Sequence, residues 1–178
     1  MPKHFYILTT LLFMIHSNEI IFDFNKDSDS SDWRIVDDSV MGGVSQGNFF
    51  VNKNGHGVFT GQVSLENNGG FSSLRYRFKE IDVNNYTKII LRVKGDGKNY
   101  QFRIKNDSND YYSYVINFST NKDWQEVELN FKDMYPTFRG RKLNMSNFSA
   151  NSIEEIAFLI GNKKNEKFEI EIDKIYLQ

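Results

Sequence analysis

Two long stretches and one shorter one gather the residue types that could do chemistry. The first is Trp33-Arg34-Ile35-Val36-Asp37-Asp38-Ser39-Val40-Met41-Gly42-Gly43-Val44-Ser45-Gln46-Gly47. Adjacent acids, Asp37 and Asp38, precede three glycines within six positions. Such glycines allow positive φ or close backbone approach. The carboxylates can then accept backbone N–H groups, as in a bulged hairpin, or grip a ligand. The second stretch, Leu65-Glu66-Asn67-Asn68-Gly69-Gly70-Phe71-Ser72-Ser73-Leu74-Arg75, places a strong turn before a strand that carries Arg75. A guanidinium pairing with Asp37, Asp38 or Glu66 would fix this turn against the first loop; a surface pair that contributes little is the alternative. The third, Tyr135-Pro136-Thr137-Phe138-Arg139-Gly140-Arg141, sets two arginines about a glycine and could bind an anion or a partner carboxylate. The candidate binding residues are therefore Asp37, Asp38, Ser45, Glu66, Asn67, Asn68, Arg75 and Arg139.

Catalytic readings of the same residues fare poorly. Gly43-Val44-Ser45-Gln46-Gly47 fits G-x-S-x-G, but a nucleophile elbow needs a helix after it, and Asn48–Asn52 reads as a strand. His56 is the one histidine beyond residue 17, so a serine–histidine pair has a single candidate base. Gly55-His56-Gly57 begins like a dinucleotide loop but runs into Val58-Phe59-Thr60 without a helix. No catalytic set and no cofactor are expected. No metal is expected either: cysteine is absent, and the oxygen-rich Asp27-Ser28-Asp29 and Asn106–Asp110 lack the glutamate and spacing of a calcium loop. Gly95-Asp96-Gly97 predicts a hairpin turn.

The elements that must position these loops are strands. Ile89, Leu91 and Val93 alternate with Ile90, Arg92 and Lys94, and Tyr100, Phe102 and Ile104 alternate with Gln101, Arg103 and Lys105. Val127–Phe131 and Phe168–Asp173 repeat the pattern. A period of two with one polar face predicts antiparallel, half-solvated sheets. Ile20–Phe24, Asn48–Asn52, Val58–Leu65, Leu74–Phe78, Tyr111–Phe118 and Ile156–Ile160 are further candidates. About ten short strands at regular spacing predict an all-β sandwich or barrel. Helix is confined to single turns at Ser152–Glu155, capped by Asn151, and at Lys132–Tyr135.

Composition agrees. The 178 residues carry 22 Lys+Arg against 23 Asp+Glu, a formal net charge of −1. That balance argues against a nucleic-acid surface. Aromatics at 15% can build a core from rings. Residues 1–17 pair Lys3 with an apolar run, Phe5–Ile15, too short to span a bilayer as a helix. They fit a signal peptide, or else a first strand or a poorly ordered start. Residues 18–178 then form one β-sandwich domain. Cleavage would mean an exported or periplasmic protein; without it, a cytoplasmic, membrane-associated one is expected.

The ordered motifs resemble the complex I intermediate-associated protein 30 family. Trp33 with Asp37–Gly47, Phe59-Thr60-Gly61, Leu65–Ser73, Gly95-Asp96-Gly97-Lys98 with Tyr100, Trp124 and Phe138–Arg141 carry the resemblance, from about Ile20 to Leu177. It implies a galactose-binding-domain-like, jelly-roll β-sandwich. It also implies a non-enzymatic, protein-binding role that holds respiratory complex I assembly intermediates, with membrane or respiratory-complex subunits as partners. No catalytic residues carry over. The inferred fold also hosts carbohydrate-binding modules, and Trp33, Asp38, Asn67 and Arg75 are types that such a site uses. A glycan partner is therefore the alternative.

Overall fold

The structure is a computed structural model that describes residues 18–178. The leader reading falls on residues outside these. The first strands are β1 (Glu19–Asp23), β2 (Trp33–Asp37), β3 (Gln46–Val51), β4 (Gly57–Val63) and β5 (Ser72–Asp82). Then come β6 (Lys88–Lys94), β7 (Asn99–Lys105), β8 (Ser113–Ser119) and β9 (Gln125–Asn130). The chain continues through β10 (Tyr135–Phe138), β11 (Arg141–Lys142), β12 (Ser152–Ile160) and β13 (Glu166–Leu177).

They form two antiparallel sheets. One runs β3-β4-β13-β6-β9, with β1 also pairing β13; the other runs β11-β10-β8-β7-β12-β5-β2. β13 organises the first sheet. Its Glu166–Ile172 pairs β4, its Lys174–Leu177 pairs β1, and Glu171–Leu177 pairs β6. The register shifts between Ile172 and Lys174, where the Asp173 carbonyl accepts the Phe24 N–H at 2.8 Å. This bulge lets one long strand serve three partners.

Alternation decides which side chains fill the space between the sheets. Phe102 meets Phe158 edge-on at 5.2 Å, and Phe59 meets Phe168 at 4.7 Å; all four are buried. Each such ring contributes about 1.5–3 kcal/mol through burial. Trp33 stacks on Tyr76 at 4.7 Å and touches Phe22, Phe24 and Phe49. At 6% exposure Trp33 is core, not a ligand platform.

Three local expectations are corrected. Ser152–Glu155 opens strand β12 instead of forming a helical turn, because Ile153 is needed in the core and Glu155 pairs across to Arg77. The second turn is at Phe131–Asp133, and Tyr135 already belongs to β10. Gly95-Asp96-Gly97 is no hairpin: β6 and β7 lie in different sheets, so the segment crosses the sandwich edge. Asp96 holds that crossing by accepting from the Lys98 amine, the Tyr100 hydroxyl and the Glu169 N–H.

Candidate functional site

The Asp37–Gly47 loop links β2 to β3, and the Glu66–Phe71 loop links β4 to β5. They meet at one end of the sandwich, and Asp38 joins them. Asp38 is fully buried. It accepts the Ser45 N–H at 3.0 Å and the Ser45 hydroxyl at 2.5 Å. From the other loop it accepts the Gly70 N–H at 2.6 Å and the Phe71 N–H at 3.2 Å. Burial by itself raises the pKa of this carboxyl. The bonds from Ser45, Gly70 and Phe71 outweigh that and hold it below the usual carboxylate range. Ser45 in turn accepts the Ser64 N–H at 3.0 Å. The glycines fit by contact: a Cβ on Gly43 would collide with the Asp38 carboxylate, and one on Gly69 would lie 2.6 Å from it.

The other candidates fall in four places. Asp37 accepts the Gly47 N–H through Oδ2 at 2.9 Å within its own loop, and its buried Oδ1 has no hydrogen-bond partner among the described residues. Glu66, Asn67 and Asn68 are exposed, and both asparagines take positive φ (54° and 61°), which that side chain tolerates. Arg139, with φ of 47°, forms the β10–β11 turn with Gly140 and lies over the Phe138 ring at 5.2 Å. Arg75 does not pair with Asp37, Asp38 or Glu66. It projects from the outer face of the seven-stranded sheet, 3.9 Å from Glu155, while the acids sit in the end loops. So the loops do come together, through Asp38 and backbone amides instead of a guanidinium.

This arrangement leaves Ser45 without nucleophilic chemistry. Its hydroxyl is buried and donates to a carboxylate, and His56 lies elsewhere, between Glu171 at 3.4 Å and Asp173 at 3.7 Å. The loops expose apolar side chains, Val40, Met41, Val44 and Leu65, alongside the polar Glu66, Asn67 and Asn68. Large exposed apolar groups gathered on such loops suit contact with another macromolecule.

The outer face of the seven-stranded sheet is a second surface, which motif reading missed. Register sets Arg34, Arg75, Ala157, Arg103, Val115 and Tyr135 in one row across six strands. Beside it run Arg77, Glu155 and Lys105. A cavity of about 510 Å³ adjoins the row and is lined by Gln101, Asn117, Leu159 and Asn162 among others. The signal was present in the alternation of Gln101, Arg103 and Lys105 with core residues, but which face is shared with β5 and β2 depends on pairing.

Two antiparallel sheets in this order define a jelly-roll β-sandwich of the galactose-binding-like kind. Among solved structures it is similar to the family 11 carbohydrate-binding module of a Clostridium thermocellum cellulosomal cellulase. There the TM-score is 0.68 at 18% identity, over 90% of this chain and 94% of that one. A second structure of that family 11 module, in complex with a β-1,3-1,4-mixed-linked tetrasaccharide, gives a TM-score of 0.67 at 19% identity, over 90% and 94% of the two chains. The sequence model of the Complex I intermediate-associated protein 30 family matches residues 22–172. The chain belongs to that family. Mouse (Mus musculus) complex I intermediate-associated protein 30, mitochondrial, is 24% identical over 179 aligned positions, which cover 88% of this chain. The chain spans about half the length of that relative (55%). Among the described residues no helix is long and apolar enough to cross a membrane.

Proposed function

We propose that this chain is a non-enzymatic protein-binding module that holds assembly intermediates of respiratory complex I or of a comparable membrane complex. The observation that carries this reading is the family match over residues 22–172. Two structural features support it. The motif residues best suited to chemistry are used in holding two loops together around Asp38. The same loops expose Val40, Met41, Val44 and Leu65, apolar side chains of the kind the centre of a protein contact buries. Exposed Glu66, Asn67, Asn68 and Arg139 are the polar candidates at such contacts. Residues 18–178 act as one domain in this reading. Its place, exported or membrane-associated in the cytoplasm, is decided by sequencing the mature N-terminus.

Affinity purification of the full chain from its host tests the proposal. Specific co-isolation of respiratory-complex subunits is expected; recovery of no specific protein refutes it. A second reading, glycan binding, is favoured by the similarity to carbohydrate-binding modules and by the polar cavity beside Gln101 and Asn117. Calorimetric titration with mixed-linked glucan oligosaccharides tests it, and a flat titration removes it.

A further inference from the structure

We infer that the arginine row on the outer face of the seven-stranded sheet is a docking strip for an extended acidic segment of a partner protein. The inference rests on the protein-binding reading and names the chemistry of one partner.

The charges on this face do not balance. Arg34, Arg75, Arg77, Arg103 and Lys105 stand against Glu155 alone along the two rows. Glu155 is engaged: it accepts from Arg77 at 2.6 Å and lies 3.9 Å from Arg75. Lys105 is held by the carbonyls of Ser108 and Asp110. Arg103 has no carboxylate within ion-pair reach among the described residues. Its Nε and Nη2 both donate to the neutral Gln101 Oε1, at 3.2 and 2.7 Å. Burial first, and the nearby Arg75 charge second, lower its pKa to about 10, so it stays charged at neutral pH. An ionised guanidinium partly withdrawn from water without an anion is costly, and an incoming carboxylate relieves that cost. The Ser73 hydroxyl, on the same face and 1% exposed, also has no partner.

Spacing selects the form of the anion. Strands lie about 4.8 Å apart, so Arg34 to Arg103 covers three intervals, about 14 Å. Alternate side chains of an extended peptide repeat about every 7 Å, so carboxylates at positions i, i+2 and i+4 cover the same length. A sugar ring needs an apolar face to lie on. Tyr135 is the aromatic of this row, and the Lys142 ammonium already lies 5.1 Å from its ring. Acidic peptide therefore fits better than acidic polysaccharide.

The test uses the full chain and fluorescence anisotropy. The probes are a short labelled peptide with Glu at alternate positions, its Gln counterpart, and an oligogalacturonate. The Glu peptide is expected to bind, to weaken as salt is raised, and to outcompete the oligogalacturonate. Arg34→Glu, at an exposed position, is expected to weaken it at least about tenfold, and Arg103→Gln similarly, while Lys53→Glu, in the turn between β3 and β4 of the other sheet, leaves it unchanged. Should Arg103→Gln fail to fold, Arg34→Glu carries the test alone. Equal binding of the Gln peptide, no binding, no effect of Arg34→Glu, or preference for the oligogalacturonate overturns the inference. A cellular partner captured equally by wild type and Arg34→Glu would leave the protein-binding reading standing and remove this strip from it.

Discussion

Replacing Asp38 by alanine should unclasp the two signature loops. The side chain satisfies three backbone N–H donors, from Ser45, Gly70 and Phe71, and one hydroxyl. The hydroxyl keeps an alternative acceptor, the Ser64 carbonyl at 3.3 Å, so three donors are stranded. A buried donor left unmade costs about 1–3 kcal/mol. The Gly70 and Phe71 donors are only partly buried, and the Phe71 bond is the longest of the three, which places the sum at about 3–6 kcal/mol. Against a total stability of about 5–15 kcal/mol, that is a large fraction, and a protein at the low end of that range would be substantially unfolded. Asp38→Asn keeps the shape but turns one amide N–H toward one donor, and should cost roughly half as much. Urea unfolding, followed by the fluorescence of Trp33 and Trp124, reads both variants. The midpoint should fall with little change in slope. The pH dependence follows from the sign of the shift. The folded carboxyl titrates below the unfolded one. Its stabilisation is complete above about pH 4, the unfolded value, and is lost as pH falls through the lower, folded one. Asp38→Asn should lack that portion of the acid transition. An Asp38→Ala variant within 1 kcal/mol of wild type (about a factor of five in the equilibrium constant) would refute the clasp.

Other perturbations separate packing from polar terms. Gly43→Ala sets a methyl against the Asp38 carboxylate and should destabilise by about 1–3 kcal/mol, with little further loss when combined with Asp38→Ala. Trp33→Ala empties the site between Tyr76 and Phe49 and should cost about 3–5 kcal/mol in denaturant unfolding, whereas Trp33→Phe retains much of it. Lys88 and Glu128 meet at 2.7 Å, but Glu128 is well exposed, and a double-mutant cycle should find under about 1 kcal/mol of coupling. Glu155→Gln removes the one acid between Arg75 and Arg77 and should lower the thermal midpoint more at low salt than at high salt.

Local alternation made most strands legible in the sequence. Ile89–Lys94 and Tyr100–Lys105 declare one wet and one dry face, and no tertiary information is needed to see it. β2 was hidden because Trp33-Arg34-Ile35-Val36-Asp37 is short and merges into the glycine run. Turn chemistry at Gly95-Asp96-Gly97 was visible, but the same residues can close a hairpin or cross between sheets. Only the partners of β6 and β7 decide between these. The site shows the same division. Asp38, Gly43 and Ser45 stood out within one stretch and Gly70 within another, but that the Asp38 carboxylate joins them was not legible, because it depends on how the two loops meet. Arg75 stood out too, but its partner was wrong, since pairing with Glu155 depends on the register of β5 against β12. Arg34 and Arg103 lie 69 positions apart in the chain (103 − 34) and adjoin the same row only after four strands assemble.

β13 also sets a schedule for the chain's biosynthesis. The strands β1, β4 and β6 emerge from the ribosome well before residues 166–177, yet all three find their neighbour there. Until that last strand is made, β1 has no partner and the edges of β4 and β6 that it later covers stay open. Folding is then a late, long-range event, and long-range pairing is slow. The nascent protein passes through a stage with open strand edges and bare aromatic surface, a hazard for aggregation. On the holding role proposed above, the protein is itself, for most of its synthesis, a client in need of holding.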